Sequence, residues 1–291
     1  MRQMTGSGLA LTLVIAFGAA AFAAWGTNTA AEPNHVRIEV IADHESIAPS
    51  QAFWVAIVQH IDPGWHTYWL NPGDAGKATE IRWSMPGGYA AGPAEWPIPR
   101  VIRTGPVVSY GYENQVVSLQ EVQAPAALAP GTVRLSVDVR WLACREMCIP
   151  EHAASAVALQ QVSNGQGQPS KRARQRIDSA RTLMPTAAPW ATTLTADAVG
   201  VRMRLHSVAG QLPANGGVRF LPVRWGEIDN AAAQAAKWSG TDLVLSLVRG
   251  DLRDRPLTEI EGLLLVEPVK PGSPPRGYQL RARVGSDAYP R

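Results

Sequence analysis

The sequence predicts a mostly β protein, built as two antiparallel β-sandwich domains joined by a short helical linker. Three observations predict it. Apolar residues recur with period 2 rather than 3.6, most clearly in Thr132–Trp141, where Val133, Leu135, Val137, Val139 and Trp141 alternate with Arg134, Ser136, Asp138 and Arg140. Pro-Gly and Gly-Pro pairs at 63–64, 72–73, 86–87, 92–93, 105–106 and 130–131 place turns between short strands. The length, 291 residues, exceeds the ~250 residues at which single cores stop growing.

In chain order, the first element is an export signal. Arg2 precedes an almost unbroken apolar run, Leu9–Ala24, and small residues follow it. This three-part layout is that of a signal peptide over residues 1–31, with cleavage between Ala24 and Glu32 and delivery to the periplasm. No later stretch reaches the ~18 consecutive apolar residues that span a bilayer. The first sandwich, residues 32–163, should contain strands at His35–Ala42, Phe53–Ile61, Glu80–Met85, Val107–Tyr112, Gln115–Val122, Thr132–Trp141 and Ala153–Val162. Residues 164–184 form the linker: a polar run, NGQGQPS, then a basic helix over Lys171–Leu183 that stops near Pro185. The second sandwich, residues 185–291, should hold strands at Gly200–His206, Gly217–Val223, Asp242–Val248, Gly262–Val266 and Tyr278–Val284. Asn230–Trp238 reads as one or two helical turns between them.

Composition narrows the function. A hydrophobic fraction of 46% with 18% charged residues excludes wholesale disorder. A net charge of +3 is too mild to call for nucleic acid. Residues 1–170 hold 9 Lys/Arg against 13 Asp/Glu, and residues 171–291 hold 18 against 11, which fits an arginine-rich, solvated sheet surface in the second half. Two cysteines, Cys144 and Cys148, exclude a disulfide-dense scaffold and a four-cysteine zinc site.

Those cysteines sit in WLACREMCIPE, directly after the clearest strand. Flanking a three-residue loop, they can approach within the ~6 Å between Cα atoms that a disulfide needs. As a staple such a bond contributes only ~2 kcal/mol, because the loop it closes is short. A close pair on a loop suits opening and closing by thiolate exchange, in which the second sulfur resolves the mixed disulfide. The spacing by itself fits a redox centre and a structural disulfide equally. It departs from C-x-x-C, and no βαβ pattern surrounds it, so the chain is not a thioredoxin fold. Arg145 and Glu146 read as a solvated loop tip. A copper site is a further alternative, since Cys144, Cys148 and His152 recur at intervals of four beside Met147, and two thiolates with an imidazole or thioether suit copper(I). The same C-x-x-x-C-x-P string occurs in copper-delivery proteins of the Sco type, which resemble thioredoxins as this chain does not. The segment Pro63–Trp83 concentrates Trp65, His66, Tyr68, Trp69 and Trp83 among glycines and prolines, as core plugs at a sandwich end or as an apolar lid over a reactive group. His66 fits a hydrogen-bonded structural role or an acid/base.

In order along the chain, PGWHTYWLNPGDAG, WSMPGG, GPAEWPIPR, SYGYENQV and WLACREMCIPE resemble the periplasmic domain of DsbD-type thiol:disulfide interchange proteins, in the branch of the suppressor-of-copper-sensitivity B proteins. The resemblance covers about residues 35–163. It implies immunoglobulin-like sandwiches, the second corresponding to an additional β domain of that branch, and a redox-active disulfide with no other cofactor. It implies a protein-disulfide reductase-type relay with ties to copper tolerance and cytochrome c biogenesis. Carried over by position, Cys148 forms mixed disulfides with partners and Cys144 resolves them, with Trp65, His66, Tyr68, Trp69, Asn71, Gly73 and Asp74 as surroundings. The implied partners are a membrane-embedded thiol reductase of DsbD/CcdA type and periplasmic thioredoxin-like or disulfide-bearing clients. Full-length members continue into a transmembrane domain and a thioredoxin-like domain. This sequence contains neither, so its electrons are expected from a separate protein, or it is a family member that has lost the relay.

Overall fold

A computed structural model describes residues 34–212, 217–268 and 275–285. The expected signal peptide, residues 1–31, lies outside them. Among the described residues no helix is long and apolar enough to cross a membrane.

Residues 34–161 form strands β1 (Val36–Ala42), β2 (Ser46–Ile47), β3 (Ala52–Ile61), β4 (His66–Gly73), β5 (Glu80–Ser84), β6 (Ala90–Ala91), β7 (Arg100–Thr104), β8 (Val107–Glu113), β9 (Gln115–Gln123), β10 (Gly131–Cys144) and β11 (Cys148–Gln161). They make two sheets, β1-β3-β9-β6 and β2-β11-β10-β4-β8-β7, with β5 also paired to β10. The alternating residues of β10 all point inward: Val133, Leu135, Val137, Val139 and Trp141 are at most 4% exposed. Burying each such side chain is worth ~1.5–3 kcal/mol, which is why a one-residue slip of this strand is not tolerated.

Helix α1 (Lys171–Arg181) follows. Its Ala173, Ile177 and Ala180 are buried, the last two packing with Ala56 of β3 and Leu119 of β9. Arg176 clamps Glu39 of β1 with two bonds, 2.7 and 2.8 Å, and the Arg181 guanidinium lies over Trp54. The helix stops two residues short of Leu183, with Thr182 as its C-cap ahead of Pro185.

The C-terminal strands are β12 (Thr186–Ala187), β13 (Thr192–Ala196), β14 (Gly200–Leu205), β15 (Val218–Pro222), β16 (Ala235–Ser239), β17 (Asp242–Val248), β18 (Glu259–Val266) and β19 (Arg276–Arg283). They form the sheets β12-β19-β18-β15 and β13-β14-β17-β16 around a core that includes Met203, Leu205, Phe220, Leu245, Ile260 and Leu264. Leu221 and Leu263 instead pack into the N-terminal cluster that contains Trp69 and Tyr110.

Two local expectations are corrected. Asn230–Trp238 is not helical. The Asp229 carboxylate accepts the N–H groups of Ala231 and Ala232 at 2.9 Å, turning the chain, and Ala235–Ser239 then pairs with β17 so that Trp238 meets the core. Helix propensity of the alanines yields to that pairing. The Pro72-Gly73 pair is not a turn but the end of β4, where the register on β8 shifts between Tyr68 and Gly73. Gly73 has φ +87°, and a Cβ there would lie 2.3 Å from the Val108 carbonyl oxygen, so only glycine fits this bulge.

Candidate functional site

The β10–β11 hairpin pairs from Gly131 with Gln161 to Cys144 with Cys148, and its last rung is a disulfide with Cα atoms 4.1 Å apart. Arg145, Glu146 and Met147 close the loop, with the Arg145 N–H donating to the Met147 carbonyl. The two sulfurs have different surroundings because their strands have different neighbours. Cys144 is flanked by Cys148 on one side and by His66 of β4 on the other, and it is 2% exposed. Cys148 begins β11, which pairs with β2 only at Gln160 and Gln161, so at Cys148 the strand is a sheet edge and the residue is exposed. Met147 beside it is 71% exposed.

Tyr68 covers one flank of the pair. Its Oη lies 3.6 Å from Cys148 Sγ, and a disulfide sulfur carries no hydrogen, so the phenol is the donor. The Tyr68 oxygen in turn accepts from His66 Nε2–H at 3.3 Å, which requires the Nε2-protonated imidazole. Burial favours neutral forms of both groups: it pushes the His66 pKa down, against a smaller opposing pull from Glu113, and the Tyr68 pKa up.

Trp65 secures the hairpin tip from the other side. Its indole stacks on the His35 imidazole at 3.6 Å, and the Arg145 guanidinium carbon sits 5.2 Å from its ring centroid. Glu151, 8% exposed, joins this wall by accepting Trp141 Nε1–H and the His35 N–H, both at 2.9 Å.

The structure therefore brings Cys144, Cys148, His66 and Tyr68 together, with Trp65 one contact away through Arg145. Trp69, Asn71, Gly73 and Asp74 point elsewhere. Trp69 is a core residue edge-on to Tyr110, Gly73 is the bulge, and Asn71 and Asp74 face the C-terminal sheets. Strand parity separates Trp69, Asn71 and Gly73 from His66 and Tyr68, and Asp74 lies beyond the end of β4, past its bulge. The roles of His35, Glu151 and Asn230 were not legible, since nothing local marks a residue whose partner is 116 to 120 positions away.

The three donors of the copper alternative, Cys144, Cys148 and His152, do not lie together in this geometry. Four residues along β11 separate the Cα atoms of Cys148 and His152 by ~13 Å, so the three donors do not ring one point. The His152 imidazole is 72% exposed and faces Asp138 at 3.7 Å. Among the described residues no group of three His, Cys, Asp or Glu side chains converges to hold a metal ion.

Residues 38–159 match the family described as thiol:disulfide interchange protein DsbD, N-terminal. No curated protein matches in sequence. Among solved structures, the N-terminal periplasmic domain of ScsB from Proteus mirabilis superposes with a TM-score of 0.59 at 17% identity, covering 88% of this chain and 97% of that one. That coverage takes in both pairs of sheets. The DsbD N-terminal domain of Neisseria meningitidis, in its reduced form, is matched at 12% identity over 47% of this chain and 91% of that one, with a TM-score of 0.26. Residues 38–159 are a DsbD-type N-terminal domain that carries the Cys144–Cys148 disulfide, which supports thiol:disulfide interchange as its broad chemistry.

Proposed function

We propose that the protein is a periplasmic electron-relay module that acts as a protein-disulfide reductase through Cys144 and Cys148. One observation carries this reading: the pair is asymmetric, with Cys148 exposed at a sheet edge and Cys144 2% exposed between two strands. Exchange between proteins needs one accessible sulfur and one shielded from every thiol except its partner. In the reduced protein, the Cys148 thiolate attacks one sulfur of a client disulfide and displaces the other client sulfur as a thiolate. The Cys144 thiolate then attacks Cys148 Sγ, re-forming the internal disulfide and releasing the client as a dithiol. Two electrons pass to the client. A membrane-embedded thiol reductase of DsbD/CcdA type restores them by the reverse exchange at Cys148. The sulfurs carry both electrons, so no organic cofactor enters. Residues 1–31 serve as the export signal, and residues 32–163 and 185–291 act as two immunoglobulin-like domains joined by residues 164–184.

The test is covalent trapping in cells. Cys144→Ala removes the resolving sulfur, so mixed disulfides through Cys148 should accumulate on non-reducing gels after acid quench and alkylation. Cys148→Ala should trap far fewer. A purely structural disulfide predicts no adducts from either variant.

A further inference from the structure

The end of β15 and the loop that follows it, residues 222–230, grip the segment that ends on the disulfide's flank. Asn71, 0% exposed, donates from Nδ2 to the carbonyl oxygens of Pro222 at 2.8 Å and Arg224 at 3.4 Å, while its Oδ1 accepts the Gly73 N–H at 3.0 Å. Asn230, 4% exposed, accepts the Tyr110 O–H at 3.0 Å and donates to Asp74 Oδ1 at 2.8 Å. The other Asp74 oxygen accepts the Val108 N–H at 2.7 Å. Residues 71–74 are thus held by two buried amides, one of them 120 positions beyond Tyr110. Buried amides satisfied on both ends fix geometry because leaving either end unpaired is costly.

That geometry is transmitted to Tyr68. A Cβ at Gly76 would fall 2.3 Å from the Tyr68 ring, so the backbone of the loop lies directly on it. Asp74, Ala75 and Gly76 contribute no large apolar side chain to seat the loop there. Its position comes from its anchors.

We infer that residues 222–230 are a brace that sets the Tyr68 hydroxyl against Cys148 through residues 71–76, with Asn71 and Asn230 as positioning residues for the thiol chemistry. The inference rests on the reading of Cys148 as the partner-facing sulfur. When the pair is reduced, the Tyr68 O–H donates to the Cys148 thiolate, and a hydrogen bond to the charged form lowers that thiol's pKa. Slackening the brace withdraws the donor and raises it. The other charged or titratable groups near Cys148 are Arg145 on Trp65, Glu146 in the loop, and His66 with Glu113 behind it, and none is altered by the substitutions below.

The experiment follows alkylation of Cys148 by iodoacetamide against pH in the reduced full chain carrying Cys144→Ala. Tyr68→Phe should move the midpoint upward and slow alkylation near neutral pH by about threefold to tenfold, the scale of one hydrogen bond to a charged group. Asn230→Ala should move it in the same direction by about threefold or more, and should add little in the Tyr68→Phe background, as expected of residues acting along one path. Leu245→Ala, in the C-terminal core, should lower stability without moving the midpoint. If Asn230→Ala does not fold, Asn71→Ser replaces it, keeping a side-chain oxygen as acceptor for Gly73 while deleting the amide donors to Pro222 and Arg224 and adding no charge. An unchanged midpoint in the folded Asn variant, or effects that add fully to Tyr68→Phe, overturns the brace. Trapping by Cys144→Ala would then still stand, which separates this failure from failure of the relay.

Discussion

The two pairs of sheets bury different chemistry. The N-terminal core holds Trp65, Trp69, Trp96, Trp141, Tyr110 and Tyr112, and several of these keep a polar tip in a defined bond: Trp141 with Glu151, Tyr112 with the Pro97 carbonyl, Tyr110 with Asn230. The C-terminal core is chiefly leucine, valine and isoleucine around Met203 and Phe220, with one buried indole, Trp190, whose N–H donates to Gln211. An aliphatic core tolerates rearrangement as long as volume is kept, whereas an aromatic with a buried donor has one acceptable partner and position. The contrast follows use. Under the proposed relay the hairpin end presents one sulfur and hides another, and its neighbours are residues that fix orientation as well as fill space.

The largest expected effect breaks that contrast directly. Trp141→Ala should destabilise by ~3–5 kcal/mol in urea unfolding, and Trp141→Phe, which keeps most of the shape but strands Glu151, by ~1–3 kcal/mol. The C-terminal counterpart Leu245→Met should cost under ~1.5 kcal/mol. A Trp141→Phe variant as stable as Leu245→Met would mean that the polar tips do not set the N-terminal core apart.

A smaller effect sharpens it from the C-terminal side. Glu227 is 4% exposed and paired with Arg224 at 2.9 Å, while its Oε2 has no hydrogen-bond partner among the described residues. Burial, only partly offset by Arg224, pushes its carboxyl up from 4.5 to about 7. The folded state is therefore expected to keep a proton that the unfolded chain releases between pH 4.5 and 7, and stability should fall as pH rises through that window, by up to about 3 kcal/mol. Glu227→Gln should flatten this slope, measured as urea midpoints from pH 4.5 to 8. An unchanged slope would show that the carboxyl is already ionised throughout.

Much of the fold was legible because half-buried strands write their period into the sequence: β10, β1, β3 and β17 fall within a few residues of their expected bounds. What escaped depended on distant partners. β4 looks like a turn because Asn71-Pro72-Gly73 has turn composition, and only the β8 carbonyl pressed against Gly73 makes it a strand end. At the site, the cysteines and their hairpin were visible from spacing, and the family motifs marked the aromatic segment. They did not divide it: Tyr68 and His66 turn to Cys148, whereas Asn71 and Asp74 turn to a β half that begins more than 100 residues later.

The proposed relay makes Cys148 the reactive sulfur and Cys144 the shielded one. The most direct measurement is competitive alkylation of the reduced wild-type protein at limiting iodoacetamide, with the modified peptides quantified by mass spectrometry. The asymmetry predicts that Cys148 is modified at least about tenfold faster than Cys144, as exposure and thiolate access dictate. Equal labelling of the two, or faster labelling of Cys144, would contradict it.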